Sequence, residues 1–271
     1  MPELPEVETS RRGIEPYLQS KVITRVTIRQ HKLRWPIPKN LPSLAQGQKI
    51  QAVCRRAKYI YLKLDNGNII IHLGMSGSLR ICSPDTSAEK HDHIDIQVSS
   101  NKILRLRDPR KFGCVLWEKG SIDEHRLIKP LGPEPLDDVF TAAYLHDKAH
   151  NRQCSIKALI MNSHIVVGVG NIYASEALFR AGINPKRKAG NISLPRFEKL
   201  VAAIKLTLQL AIDEGGTTLR DFTGINGQPG YFAQKLLVYG RSGKNCTQCD
   251  GTIKQFTQQA RSTFYCTTCQ R

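Results

Sequence analysis

Apolar residues recur along this chain at two different spacings, and the change from one to the other divides it. Val7, Ile14 and Leu18 fall at helical intervals, with Pro5 suited to the first helical position, Glu6 and Glu8 to the first turn, and Pro16 disturbing the pattern. Beyond them Val22, Thr24, Val26 and Ile28 alternate with polar neighbours, as a half-buried strand does. Ile60, Leu62 and Leu64 alternate up to Asp65-Asn66-Gly67, and Ile69 to Leu73 resume the run, which is the strongest hairpin signal in the chain. Ile94, Ile96 and Val98 lead into Ser99-Ser100-Asn101, a partner strand near Ile103 to Leu106, and another at Cys114 to Trp117. Strands that follow one another without intervening helices predict an antiparallel sandwich or barrel.

From Pro130 to Pro135 the chain reads Pro-Leu-Gly-Pro-Glu-Pro, dense in helix breakers, and the period changes after it. A domain boundary is expected there, with a first domain over 1–130 and a linker over 131–135. Ala142 to Lys148, Ile156 to Met161 and Asn171 to Phe179 then read as helices. The turn over Asn162 to Gly170 carries Gly168 and Gly170, and Asn171 is a candidate cap. Two helices joined by such a turn can set backbone amides against a phosphate. Phe197, Leu200, Val201, Ile204, Leu208 and Ala211 mark a long amphipathic helix ended by Gly215-Gly216. Thr217 to Tyr231 has little periodicity and carries Gly224, Gly227, Pro229 and Gly230, the composition of a functional or disordered loop. The fold class is α+β with two domains.

Composition adds a partner. The 271 residues include 40 Lys and Arg against 23 Asp and Glu, a net charge of +17, and 40% are hydrophobic. A globular protein with a polyanionic ligand, most simply nucleic acid, is expected. No apolar run is long enough to span a bilayer, and no amphipathic basic helix or lipidation motif favours a membrane surface, so a soluble, cytoplasmic protein is expected. Of eight cysteines, Cys54, Cys82, Cys114 and Cys154 are scattered and read as buried small hydrophobes. The other four form Cys246-x2-Cys249, sixteen intervening residues, then Cys266-x2-Cys269. That spacing suits a four-thiolate structural zinc at the tip of a β-hairpin, with no open position for water.

Basic residues punctuate the strand-rich half: Arg55, Arg56 and Lys58, then Arg80, then Arg105, Arg107, Arg110 and Lys111. Several clusters on one small domain form a phosphate-tracking surface. His72-Leu73-Gly74-Met75-Ser76-Gly77 frames a large apolar side chain between glycines, where Met75 is either a base-stack wedge or a minor core residue; Phe112 has the same two readings. The chain opens Met1-Pro2-Glu3. Removal of Met1 would leave Pro2 as a free secondary amine, and an α-amino group titrating near ~8 retains a neutral fraction able to form an iminium with an aldehyde carbon. Glu3 beside it should titrate with it as a pair.

These segments taken together resemble the formamidopyrimidine-DNA glycosylase (Fpg) family over essentially the full length. The likeness rests on Pro-Glu-Leu-Pro-Glu-Val-Glu at the start, Arg-Arg-Ala-Lys-Tyr around Lys58, His-Leu-Gly-Met-Ser-Gly around Met75 and Asp-Pro-Arg-Lys-Phe-Gly around Arg110. It continues through Gly-Val-Gly-Asn-Ile-Tyr-Ala-Ser-Glu around Asn171 and the four-cysteine hairpin. The resemblance implies an N-terminal β-sandwich with flanking helices over 1–130, a helix-two-turn-helix domain with a lesion-recognition loop over 136–232, and a zinc finger over 233–271. It implies a cytoplasmic, monomeric enzyme acting on damaged double-stranded DNA, excising oxidised purines and then cleaving the strand at the abasic site by β,δ-elimination. Pro2 would be the Schiff-base nucleophile, Glu3 the acid at the sugar, and Lys58 an aid to β-elimination. Arg261 matches the δ-elimination arginine; because an Arg stays protonated, a phosphate clamp suits it better than a proton donor. His91, Arg110 and Arg152 match DNA-contacting positions, Met75, Arg110 and Phe112 the side chains that fill the gap left by a flipped base, and Asn171 a phosphate-binding asparagine. One structural zinc per chain is implied, held by Cys246, Cys249, Cys266 and Cys269.

Two other readings remain at this point: a sibling of the endonuclease VIII type acting on oxidised pyrimidines, and a non-enzymatic zinc-bearing DNA-binding regulator. Leu4 and the full loop after Thr217 resemble the purine branch. A regulator would tolerate a blocked N-terminus.

Overall fold

The computed structural model of the chain describes residues 2–217 and 232–271, so Met1 and nearly all of the loop expected after Thr217 lie outside the described residues. Two compact units are present, one of 1–129 with 215–231 and one of 130–214 with 232–271.

The first unit begins with α1 (Leu4–Leu18), whose Val7, Ser10, Ile14 and Leu18 face inward at intervals of three and four. Glu3 is the N-cap, so Pro5 stands at the second helical position rather than the first. Pro16 falls in the last turn, and the helix runs two residues beyond it. There follow β1 (Ile23–Ile28), α2 (Leu41–Ala45), β2 (Ile50–Arg56), β3 (Tyr59–Leu64), β4 (Gly67–His72), β5 (Ser78–Cys82), β6 (Asp92–Val98), β7 (Lys102–Arg107) and β8 (Cys114–Glu118). They form two four-stranded sheets, β1-β6-β7-β5 and β2-β3-β4-β8, antiparallel at every pairing. Inward residues of both sheets, among them Val26, Ile96 and Leu104 from one and Ile60, Ile69 and Val115 from the other, share one core with Val7, Ile14 and Leu18 of α1. This is a sandwich rather than a barrel.

The hairpin expected at Asp65-Asn66-Gly67 joins β3 to β4, with Leu64 opposite Gly67 and Tyr59 opposite His72. Trp117 crosses above Gly67, and a Cβ there would lie 2.3 Å from its ring. Among strands the periodicity did not announce, β2 ends in Arg55 and Arg56, and β5 carries Arg80.

The second unit contains α3 (Ala142–Ala149), α4 (Ile156–Ile160), α5 (Asn171–Arg180), α6 (Leu194–Asp213), and the hairpin of β9 (Ile253–Gln258) and β10 (Arg261–Cys266). All six apolar positions anticipated for the long helix are buried in α6. Its helix ends where Gly215 takes a φ of +73°. The cap of α5 is Gly170, not Asn171, which is the first helical residue. The expectation for the scattered cysteines holds only for Cys114: Cys154 is exposed, and Cys54 and Cys82 are half-buried. Among the described residues no helix is long and apolar enough to cross a membrane.

Candidate active site and nucleic-acid interface

Pro2 and Glu3 are both buried at the N-terminal end of α1. The Glu3 backbone N–H donates to Glu6 Oε2 at 2.8 Å, satisfying one of the amides that a helix start leaves over. Glu6 Oε1 accepts both the backbone N–H of Thr217 at 2.9 Å and its hydroxyl at 2.8 Å. One buried carboxylate therefore ties the candidate nucleophile's end of the chain to the residue from which the long loop departs.

Lys58 stands in the tight turn between β2 and β3, beside Ala57 at a φ of +54°. Arg55 fastens this turn to α1: its Nε donates to Glu8 Oε2 and its Nη1 to the Ala57 carbonyl, both at 3.0 Å. Burial pushes the Glu8 carboxyl up, but hydrogen bonds from Arg11, Arg12 and Arg55 outweigh it and hold the group below its usual range. Across the ladder from the Lys58 turn lies His72, its ring centroid 4.8 Å from that of Tyr59. Burial, then the Lys58 and Arg34 charges, lower its pKa to about 4 against a smaller opposing effect of Asp108. The ring is therefore neutral near pH 7, and its Nδ1 accepts the Gly74 N–H at 3.0 Å.

Met75 and Phe112 are respectively 37% and 43% exposed, so neither is a core residue. The guanidinium carbon of Arg110 lies 4.7 Å from the centroid of the Phe112 ring, within cation–π reach. His91 precedes β6 and its carbonyl accepts the Asp108 N–H at 3.0 Å, which brings it to the same loop as Arg110.

In the second unit Arg152 is exposed on the loop between α3 and α4. Asn171 is half-buried: its Oδ1 accepts Lys157 Nζ at 2.6 Å, while its Nδ2 donates to the Ser262 carbonyl at 2.9 Å and to the Tyr239 hydroxyl at 3.4 Å. Lys157 also donates to Thr263 Oγ1 at 2.7 Å. Arg261 is exposed as the first residue of β10, just past a two-residue turn in which Gln259 and Ala260 take φ of 48° and 58°. Asn171 and Arg261 are thus joined through Ser262.

The four clustered cysteines come together at the open end of this hairpin rather than at its tip, which is formed by Gln259 and Ala260. All four sulfurs lie within 4.8 Å of one another, with 3.8 Å between Cys246 and Cys269 and 3.5 Å between Cys249 and Cys266. A tetrahedral ion with metal–sulfur bonds of about 2.3 Å needs sulfurs roughly 3.8 Å apart, so the donor set fits. The Gln248 N–H reaches Cys246 Sγ and the Gly251 N–H reaches Cys249 Sγ, each at 3.4 Å. These cysteines form a possible metal site.

Sequence reasoning missed Glu6 as a bridge, and it missed Asp108, Lys157 and Glu176, all buried. Glu176 accepts the N–H groups of Leu237, Val238 and Tyr239 at 2.8 to 2.9 Å and so holds the segment leading to the cysteines. Their signal was a charged residue inside an otherwise apolar face or tight turn.

The described residues thus combine an antiparallel sandwich that exposes Met75 and Phe112 with a helical unit that ends in a four-thiol clip. The chain belongs to the formamidopyrimidine-DNA glycosylase family. Its residues 1–115 match the family's "Formamidopyrimidine-DNA glycosylase N-terminal domain", and 131–223 match the "Formamidopyrimidine-DNA glycosylase H2TH domain". It is 53% identical to the formamidopyrimidine-DNA glycosylase of Marinobacter nauticus, with 100% of each chain covered. A Lactococcus lactis Fpg mutant in complex with DNA containing Fapy-dG superposes at a TM-score of 0.91, with 31% identity and 100% of each chain covered. The Lactococcus lactis Fpg in complex with abasic-site DNA gives 0.90 at 30% identity, with 99% of each covered.

Proposed function

We propose that this chain is a bifunctional glycosylase that removes oxidised purines, 8-oxoguanine and formamidopyrimidines, from duplex DNA and then cleaves the strand by β,δ-elimination. The observation that carries the reading is the buried Pro2-Glu3 pair at the start of α1, with Glu6 holding the Glu3 amide. After removal of Met1, the neutral Pro2 amine attacks C1′, and the C1′–base bond breaks with its electron pair leaving on the base, which takes up the proton released from the Pro2 nitrogen. Protonated Glu3 assists ring opening at the sugar oxygen, leaving an iminium between Pro2 and C1′. A proton passed from the Pro2 ammonium to the Glu3 carboxylate readies both groups at once. With Lys58 assisting, loss of a C2′ proton expels the 3′ phosphate; a second elimination expels the 5′ phosphate, with Arg261 clamping the departing anion.

A base inside a duplex is out of reach until it is extruded, and Met75, Arg110 and Phe112 would occupy the gap it leaves. His91, Arg110, Arg152 and Asn171 would hold the backbone; at Asn171 a phosphate oxygen would replace the 3.4 Å contact with Tyr239, the weakest of its three. Cys246, Cys249, Cys266 and Cys269 would hold one structural zinc, which supplies cross-linking of the hairpin root and no chemistry to the reaction. The division is read as a catalytic sandwich over 1–130, a linker over 131–135, a helix-two-turn-helix domain over 136–232 and a zinc finger over 233–271, in a cytoplasmic monomer. Leu4 and the loop after Thr217 resemble the purine branch of the family, which supports oxidised purines over oxidised pyrimidines as the substrate.

Borohydride added during reaction with lesion DNA should join protein to DNA through the N-terminal peptide. Protein verified by mass to retain Met1, in which the Pro2 nitrogen is an amide, should form no such adduct. Trapping by that form at the normal rate would move the nucleophile elsewhere, with Lys58 the first alternative.

A further inference from the structure

Two crossovers between the sheets of the sandwich run side by side. Residues 73–77 leave β4 and enter β5 in the opposite sheet, and residues 108–113 leave β7 and return to β8. Their ends are neighbours in both ladders, with His72 opposite Cys114 and Ser78 opposite Arg107. Neither crossover can slide without breaking a strand register. Between these ends the two backbones touch. A Cβ on Gly74, whose φ is +65°, would lie 2.4 Å from the carbonyl carbon of Phe112, and one on Gly113 would lie 2.5 Å from the His72 carbonyl oxygen.

Asp108, with no exposed surface, fills the junction. From the first crossover Ser76 donates its hydroxyl to Oδ1 at 2.9 Å. From the second, the Gly113 N–H donates to Oδ2 at 2.8 Å and the Arg110 N–H approaches Oδ1 at 3.3 Å. The Asp108 main chain is held as well: its N–H donates to the His91 carbonyl at 3.0 Å, and its carbonyl lies 2.8 Å from His93 Nε2. Met75, Arg110 and Phe112 are among the exposed side chains of this junction, with Pro109 and Lys111 beside them. A buried carboxylate whose donors come from two loops resists their separation strongly, because parting them leaves a charge without partners.

We propose that Asp108 is a positioning residue that locks the Met75 crossover to the Arg110–Phe112 crossover, so that the three side chains enter the duplex as one rigid unit. This rests on the reading of those three as the side chains that occupy the gap. Unstacking a base step costs a few kcal/mol, and a turn free to hinge would fold back under that load instead of transmitting it. The paired strand ends fix where the crossovers begin, and Asp108 fixes the angle between them. His91, bound to the Asp108 amide, is set in the same frame.

The test uses the full chain with Met1 removed, and duplex carrying 8-oxoguanine beside 2-aminopurine, whose fluorescence rises on unstacking. Ser76→Ala and Asp108→Asn should each slow both that rise and excision by about tenfold. With enzyme in saturating excess, so that any loss of backbone grip through Arg110 or His91 does not enter, cleavage of a pre-formed abasic site should be nearly unchanged, since no base has to be displaced. Adding Met75→Ala to either variant should cost little more, because a detached wedge is already ineffective. Multiplying losses, equal slowing on both substrates, or wild-type behaviour of Ser76→Ala would each overturn the locking role. Met75→Ala alone separates the two readings: equal loss on both substrates removes the wedge, and this proposal with it, whereas a duplex-specific loss beside a silent Ser76→Ala removes only the lock. Ser76→Ala deletes a single bond and carries the test if Asp108→Asn fails to fold.

Discussion

Glu6 and Thr217 are 211 residues apart in sequence, yet Glu6 Oε1 accepts both the backbone N–H and the hydroxyl of Thr217. The other oxygen of the same carboxylate accepts the Glu3 N–H. Glu6→Gln keeps the shape of the side chain but turns one acceptor into a donor, so either Glu3 or Thr217 loses its partner. A loss of roughly 1–3 kcal/mol in stability is expected for the buried group left unsatisfied. Denaturant titration of Glu6→Gln against wild type measures it, and an unchanged midpoint would mean that the bridge contributes nothing.

The four-thiol site should act on DNA binding through the hairpin alone. Cys249→Ser removes one ligand of a closed shell, so metal content and duplex affinity should fall together while the sandwich unit stays folded. Metal analysis, an equilibrium binding assay and circular dichroism are the three measurements. Normal binding and cutting by metal-free protein would refute a structural metal.

At a net charge of +17, affinity for undamaged duplex should be mostly electrostatic. The logarithm of the binding constant should fall by about 0.9 per phosphate contact for each decade of salt. Arg152 is exposed on its loop, and Arg152→Ala should lower that slope by about one contact. A slope identical to wild type takes Arg152 off the phosphate-binding surface.

His72 links pH to stability with a definite sign. Its folded pKa, near 4, lies below the ordinary histidine value of 6.5 because of burial and the Lys58 and Arg34 charges, with Asp108 opposing. Between those two values the unfolded chain binds more protons. The stability is therefore complete above pH 6.5 and is lost as pH falls toward 4, by up to about 3 kcal/mol. Glu8 and Asp95, held below the usual carboxylate range, lose theirs at lower pH still. His72→Gln should flatten the melting-temperature profile between pH 6.5 and 4 only; a profile as steep as wild type there would assign the slope to other groups.

Local periodicity and spacing by themselves determined much of this protein. The apolar faces of α1 and α6, the β3–β4 turn and the cysteine pairs all depend on residues within a few positions of one another, and all were legible. The opening Pro2-Glu3 could be singled out for the same reason, since an α-amine needs no distant partner to be a nucleophile. β2 was not legible, because only Ile50 and Val53 of its seven residues are fully buried and its end is basic. Asn171 invited a reading as a helix cap, and only the fold turned its amide toward Ser262 and Lys157. Which sheet each strand joins, and hence that 73–77 and 108–113 lie together, is settled by pairings between distant segments. Asp108, Lys157 and Glu176 show the physical reason most directly. A buried charge is tolerated only with its partners, and among them Ser76 stands 32 positions from Asp108, Thr263 106 from Lys157, and Leu237 to Tyr239 61 to 63 from Glu176, so only the folded chain could bring these together.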